Sequence, residues 1–177
     1  MTIKSRVRNE VRQRASFACE FCGISETDAG SQLTIDHFQP KAKGGDDSPS
    51  NLIYCCSKCN QYKLDYWPEN DADPMLWNPR IESASQHFLE LNEGTLHPLS
   101  STGAFTIRRL RLNRPPLIAH RLFKRRVAEE VRLLTSYKDL VRLVEQLLAQ
   151  QSALLQEQQK LLTEQRQLLQ MLLEKKK

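Results

Sequence analysis

Two Cys-x-x-Cys pairs, Cys19-Glu-Phe-Cys22-Gly23 and Cys56-Ser-Lys-Cys59, flank a long intervening segment and constrain the fold more than any other feature of the chain. Thiolates two residues apart converge on one metal, and a glycine behind the first pair lets the backbone turn without a Cβ clash. Four such ligands close a tetrahedral zinc site, a structural one because no coordination position stays open for water. One pair alone would read equally as a redox motif, but two around an insert read as zinc. Cys55 either replaces Cys56 as a ligand or is a buried thiol at a strand end, and the two-residue spacing to Cys59 favours Cys56. No hydrophobic leader precedes the cysteines, so a reducing cytoplasm is expected rather than a secreted disulfide framework. The longest apolar run falls far short of the ~20 residues that cross a bilayer.

The insert has its own pattern. Leu33-Thr34-Ile35 predicts a short strand delivering Asp36 and His37, Pro40 and Gly44-Gly45 stop it, and Asp46 to Ser50 is a polar loop. Leu52-Ile53-Tyr54 predicts the returning strand, with a helix beginning near Cys56. Successive residues point to opposite sides of a regular strand, so Asp36 and His37 serve one site only if the strand ends or bends there. Metal-assisted hydrolysis needs a base for the attacking water and positive charge for the oxygens that become anionic. A neutral imidazole with an ordinary pKa of ~6.5 suits the first task, which points to His37. Oxygens from Asp36 and Asn60 suit the second, as hard ligands for Mg²⁺ or Mn²⁺ rather than zinc.

Asp36-His37, Asn51 and Asn60, set between two cysteine knuckles, resemble the HNH endonuclease family. His37, Asn51 and Asn60 stand at the name-giving positions, the last being Asn where the name has His. The resemblance covers Cys19 to Lys63; more loosely, Asn78-Pro79-Arg80 through Leu112-Asn113-Arg114-Pro115 looks like the extension that follows the core in many bacterial members. It implies an α+β chain built on a ββα-metal core. The roles it implies are His37 as general base, a divalent cation on Asp36 and Asn60, and Asn51 tying the hairpin together and orienting the His37 imidazole. The activity it implies is DNA cleavage, by nicking or, in an oligomer, through both strands. An RNA substrate and a non-catalytic zinc-stabilised binding or scaffold protein are the alternatives. Nucleases of this kind serve in mobile elements, restriction and defence against phage.

The net charge of +5 matters less than its placement: Thr95 to Ala128 carries eight Arg or Lys and no acid, whereas Asp65 to Asp73 is acidic. A polyanion is the natural partner of the basic block, a soluble basic face the plainer reading. Arg108, Arg109 and Arg111 are its candidate nucleic-acid contacts. Lys63, one turn after Asn60, is either a further phosphate contact or a helix-surface lysine. Ser5 to Ser16 predicts a short amphipathic helix. Trp67 and Trp77 are expected to cover a small core, and Gln86 to Leu99 to form a hairpin in which His87 and His97 are structural. Ser100 to Gly103 is expected to start a helix and Ala104 to Leu112 to be a short basic helix, with a break at Asn113 to Pro116 and a new helix after it whose first turn holds prolines. The organisation expected is a nuclease core at 1–80, a hairpin and basic helix at 81–116 and a long helix at 117–177.

From Leu117 to the end there is no Gly or Pro, and leucine pairs recur every seven residues: Leu133-Leu134, Leu140-Val141, Leu147-Leu148, Leu154-Leu155, Leu161-Leu162 and Leu168-Leu169. Tyr137, Val144, Gln151, Gln158, Gln165 and Leu172 complete a three-residue seam. A strict seven-residue repeat implies a left-handed coiled coil, with a second copy or another protein as partner.

Overall fold

The computed structural model describes residues 3–174, which are mixed α and β with two small antiparallel sheets. Residues up to Lys124 form one compact unit, and those from Arg125 onward a second.

In the first unit, α1 (Ser5–Arg14) buries Val11 completely. It stops short of the predicted Ser16 because Ser16 and Phe17 turn into the left-handed region, at φ 50° and 58°. The first knuckle follows, and Gly23, at φ 76°, makes its turn. A single helical turn, α2 (Glu26–Ala29), comes next, too short to leave a periodicity in the sequence. Its Glu26 takes a bidentate pair from Arg12, at 2.5 and 2.6 Å, and accepts the hydroxyl of Tyr54, so α1, α2 and the sheet share one polar clasp.

Strands β1 (Thr34–His37) and β2 (Leu52–Cys55) pair antiparallel, with Asp36 opposite Ile53 and His37 opposite Leu52. Every residue of β2 is buried, which is why it reads as a continuous apolar run rather than an alternation. Helix α3 (Ser57–Lys63) follows and packs on β1, completing a ββα unit. Its boundary near Cys56 is where the sequence placed it.

The core continues through Leu76 and Trp77 to Leu110, Leu112 and Leu117. Trp77 meets Phe21 and Phe88 edge-on, and Trp67 meets Phe38, so both tryptophans cover the core as expected. The second hairpin is β3 (Phe88–Glu90) and β4 (Leu96–Pro98). Ser100 caps α4 (Ser101–Arg109), its hydroxyl accepting from Gly103 N at 3.0 Å. A Cβ at Gly103 would lie 2.2 Å from the His87 carbonyl oxygen, so only glycine lets the helix lie this close to the hairpin. His87 is buried with Nδ1 2.6 Å from the Ser100 hydroxyl, the structural role expected of it.

Helix α5 (Pro115–Glu174) opens with two prolines in its first turn, where the missing N–H costs nothing. In the second unit the helix is unbroken and its apolar residues are exposed, Leu133 at 64%, Leu154 at 60% and Leu172 at 63%. Among the described residues, no helix is long and apolar enough to cross a membrane.

Candidate active site and metal centre

Cys19, Cys22, Cys56 and Cys59 bring their sulfurs within 4.8 Å of one another. The Cys22 and Cys56 sulfurs are 3.7 Å apart, close to the ~3.8 Å edge of a tetrahedron with zinc–sulfur bonds of ~2.3 Å. The first pair sits on a tight turn, with Cys19 N donating to Ile24 O and Gly23 N to Cys19 O, both at 2.8 Å. The second starts a helix: Cys56 is the N-cap of α3 and its sulfur accepts from Cys59 N at 3.4 Å. Crowding sets the thiols against one another. Hydrogen bonds from Cys19, Cys22 and Cys59 push Cys56 far below the ordinary thiol range, whereas the Cys19 thiol first of all pushes Cys22 and Cys59 above it. A soft divalent cation at the centre resolves that conflict, and the donor set and spacing fit a structural zinc. Cys55 is not in the cluster; its sulfur faces the Thr34 hydroxyl at 3.8 Å on the paired strand, and burial pushes its thiol up.

Arg114 touches this centre from the start of α5, its Nη2 donating toward the Cys59 sulfur at 3.9 Å. Burial works to lower its pKa, but the pull of Cys59, Cys22 and Cys56 wins and leaves it raised. Glu20, between the first two ligands, pairs with Arg80 and accepts from Tyr54 N at 2.7 Å, joining the knuckle to the downstream segment.

On the hairpin, His37 has 19% of its side chain exposed and its Nε2 lies 2.7 Å from Asp47 Oδ1. The other Asp47 oxygen takes Lys41 Nζ at 2.6 Å, and these two contacts, Lys41 before His37, hold the Asp47 carboxyl below its usual range. Asp47 is therefore an acceptor, Nε2 carries the proton, and Nδ1 is the basic nitrogen of the ring. Among the described residues Asn51 makes no hydrogen bond to the imidazole. Its Oδ1 accepts from Gln39 N at 2.8 Å, and its Nδ2 donates to Gln39 O at 3.0 Å and Asp46 O at 2.9 Å. The expected tie across the hairpin is thus present, but the ring is oriented by Asp47, which polar-loop composition did not single out. Arg14 of α1 steadies the same loop from outside, donating to Pro49 O at 2.6 Å and Leu52 O at 2.5 Å.

Lys63 requires a correction. It is 1% exposed, so it is neither a phosphate contact nor a surface lysine. Its ammonium donates to His37 O at 2.7 Å and sits 3.0 Å from Asp36 Oδ2. The last turn of α3 thus holds the backbone of His37 and the carboxylate of Asp36 together, while the His37 ring turns the other way toward the loop. Asp36 Oδ2 is buried and accepts no hydrogen bond in addition to that ion pair. Asn60 lies on α3 one turn before Lys63 and is half-buried. Asp36 keeps 21% of its side chain exposed, and its carboxylate and the Asn60 amide both carry hard oxygen donors.

The arginines of the basic block stack on tyrosines and on Phe105. Arg111 lies over Tyr62 at 4.9 Å, Arg108 over Phe105 at 5.8 Å and Arg109 over Tyr66 at 4.9 Å. Arg108 and Arg111 are exposed, whereas Arg109 is half-buried and spends one nitrogen on Lys63 O at 3.1 Å.

Among known proteins, residues 19–65 match the family model described as HNH endonuclease. No curated protein and no solved structure matches the chain. The match spans both knuckles and the whole hairpin between them, and it brings a nuclease or nucleic-acid-binding function with zinc. Over residues 19–65, which hold both knuckles and the ββα unit, the chain is similar to the HNH endonuclease family.

Proposed function

We propose that the chain is a metal-dependent endonuclease that hydrolyses phosphodiester bonds in DNA, with His37 as the general base. The observation that carries this reading is the His37–Asp47 contact. A carboxylate on Nε2 fixes the ring and its tautomer, and it stabilises the imidazolium that forms when Nδ1 takes a proton from the attacking water. Asp36 and Asn60 are the residues that would hold Mg²⁺ or Mn²⁺, and such a cation would offset the negative charge gathering on the phosphate oxygens. Asn51 and Gly45 keep the loop closed behind His37, so the base and its carboxylate stay in register. Exposed Arg108 and Arg111, each braced on an aromatic ring, would hold the phosphate backbone on the same compact unit. Helix α5 would join the nuclease to a second copy or to another protein.

His37→Ala is expected to abolish cleavage of supercoiled plasmid in Mg²⁺ or Mn²⁺ while leaving zinc content and salt-dependent DNA binding in place. Undiminished cleavage would remove His37 from the role of base. Wild-type chain that binds in a salt-dependent way but cuts nothing with either cation would leave the non-catalytic scaffold reading. Faster cutting of structured RNA than of duplex or single-stranded DNA, assayed side by side, would move the substrate to RNA.

A further inference from the structure

The second unit carries an exposed seam without gaps. Leu133, Leu140, Leu147, Leu154, Leu161 and Leu168 form one edge, and Leu134, Val141, Leu148, Leu155, Leu162 and Leu169 the other. All of these apolar residues are solvent-exposed, from 38% at Val141 to 64% at Leu133. At ~100° per residue the third position of each repeat falls between the two edges, along the middle of the face. Down that midline run Tyr137, Val144, Gln151, Gln158, Gln165 and Leu172. A face this wide and this regular is made to be covered, and the midline restricts what can cover it. Three glutamines in succession are costly against an apolar surface, because each amide would lose its hydrogen bonds.

We infer that the occupant is a second copy of this chain, parallel and in register. In that arrangement every midline residue meets its own counterpart. Gln151, Gln158 and Gln165 each meet an identical amide, which offers a donor for every acceptor, and Tyr137, Val144 and Leu172 meet apolar surface. An antiparallel pair centred on Gln158 also matches the three glutamines, but it sets no described residue opposite Leu133 to Val141. Charge points the same way. Residues 125–177 contain ten Arg or Lys and seven Asp or Glu, the excess being Lys175 to Lys177, so along the seam itself the charges balance. Just outside the two leucine edges lie Glu157 and Glu164 on one side and Lys138, Glu145 and Arg166 on the other. Parallel pairing sets opposite sides against each other and brings Glu164 level with Arg166 of the second copy. Antiparallel pairing about Gln158 sets like sides together, Glu157 against Glu157. Within its own chain Glu164 lies 4.0 Å from Lys160.

This narrows the association through α5 given under the proposed function, and its readouts are mass and crosslinks, so its failure leaves the nuclease reading untouched. The test uses the full chain loaded with zinc, which keeps the four knuckle thiolates occupied. Light scattering after size exclusion at micromolar concentration is expected to give at least twice the chain mass. Leu154→Glu with Leu155→Glu is expected to return the chain to monomer without loss of zinc, since both side chains are exposed and glutamate is a good helix former. Val144→Cys and Leu172→Cys, made as separate variants at the two midline positions that an antiparallel pair about Gln158 would set opposite each other, are each expected to form a disulfide with themselves under mild oxidation. A monomeric wild-type chain would overturn the inference, and so would crosslinking of position 144 to 172 in a mixture of the two variants in place of self-crosslinking.

Discussion

Asp47 carries two contacts at once, Lys41 on one oxygen and the His37 ring on the other, and each makes the other more effective. The lysine holds the carboxyl further below its usual range, and the carboxylate accepts the Nε2 proton, which leaves Nδ1 as the ring nitrogen with a free lone pair. Gly45 guards the same geometry from below, because a Cβ there would stand 1.9 Å from Gln39 O and 2.8 Å from Asn51 Nδ2. Residues that orient a catalytic or ligating imidazole are worth on the order of 10–100-fold when removed. Asp47→Ala is therefore expected to lower kcat by roughly that factor with KM for DNA little changed. Asp47→Asn, which can still accept a hydrogen bond through its amide oxygen, should retain more activity than the alanine variant. Steady-state nicking of a plasmid at saturating Mg²⁺ measures both. Equal rates in wild type and Asp47→Ala would mean that the ring is held by its backbone alone.

Helix α3 concentrates what could and could not be foreseen from composition and spacing. Its start was legible, because Cys-x-x-Cys with the metal-bound sulfur as N-cap has a local signature. The strands on either side of the Gly-Gly turn were legible too, as was the break ahead of Pro115 and Pro116. The end of α3 was not. Leu64 leaves the helix at φ 54°, and that turn folds the Lys63 side chain inward to Asp36 and His37. Periodicity could show that Lys63 shares a face with Asn60, but not that the chain closes over it. Asp47 escaped for a related reason: in a loop the partner of a carboxylate is set by tertiary closure, here by Asn51, Arg14 and Gly45 acting from three separate segments. Because α3 joins the zinc cluster at Cys56 and Cys59 to Asn60 and Lys63, the metal should control the candidate active site through this element. Removal of zinc by a strong chelator is expected to abolish cleavage and to melt the ββα unit by circular dichroism, and Mg²⁺ alone should not restore either. Arg114→Met takes away the guanidinium near Cys59, and it should speed zinc release to a chromogenic chelator by roughly 10–100-fold, the range for groups that contact a ligand. Unchanged release would show that the 3.9 Å contact contributes nothing to retention.

At the scale of the whole molecule, the division after Lys124 separates the unit that holds the candidate active site from the exposed leucine seam. Every residue of the buried core lies before that point, the last being Leu117, and so do both knuckles, the hairpin and the stacked arginines. Nothing beyond Lys124 contributes a buried side chain among the described residues. A chain ending at Lys124 is accordingly expected to fold, hold one zinc and keep His37-dependent nicking. One active site cuts one strand, so the truncated chain should convert supercoiled plasmid to the open circle and stop there. The full chain, if α5 brings two sites to one duplex, should pass beyond the open circle to linear product at an enzyme concentration where the truncated chain does not. The ratio of linear to nicked plasmid over time reports this directly, with the Leu154→Glu/Leu155→Glu variant as the control that keeps the helix but not the seam. If truncated and full chains gave the same ratio, α5 would be an attachment to something other than a second cutting site. If the truncated chain lost its zinc, the division at Lys124 would not be a division of folding.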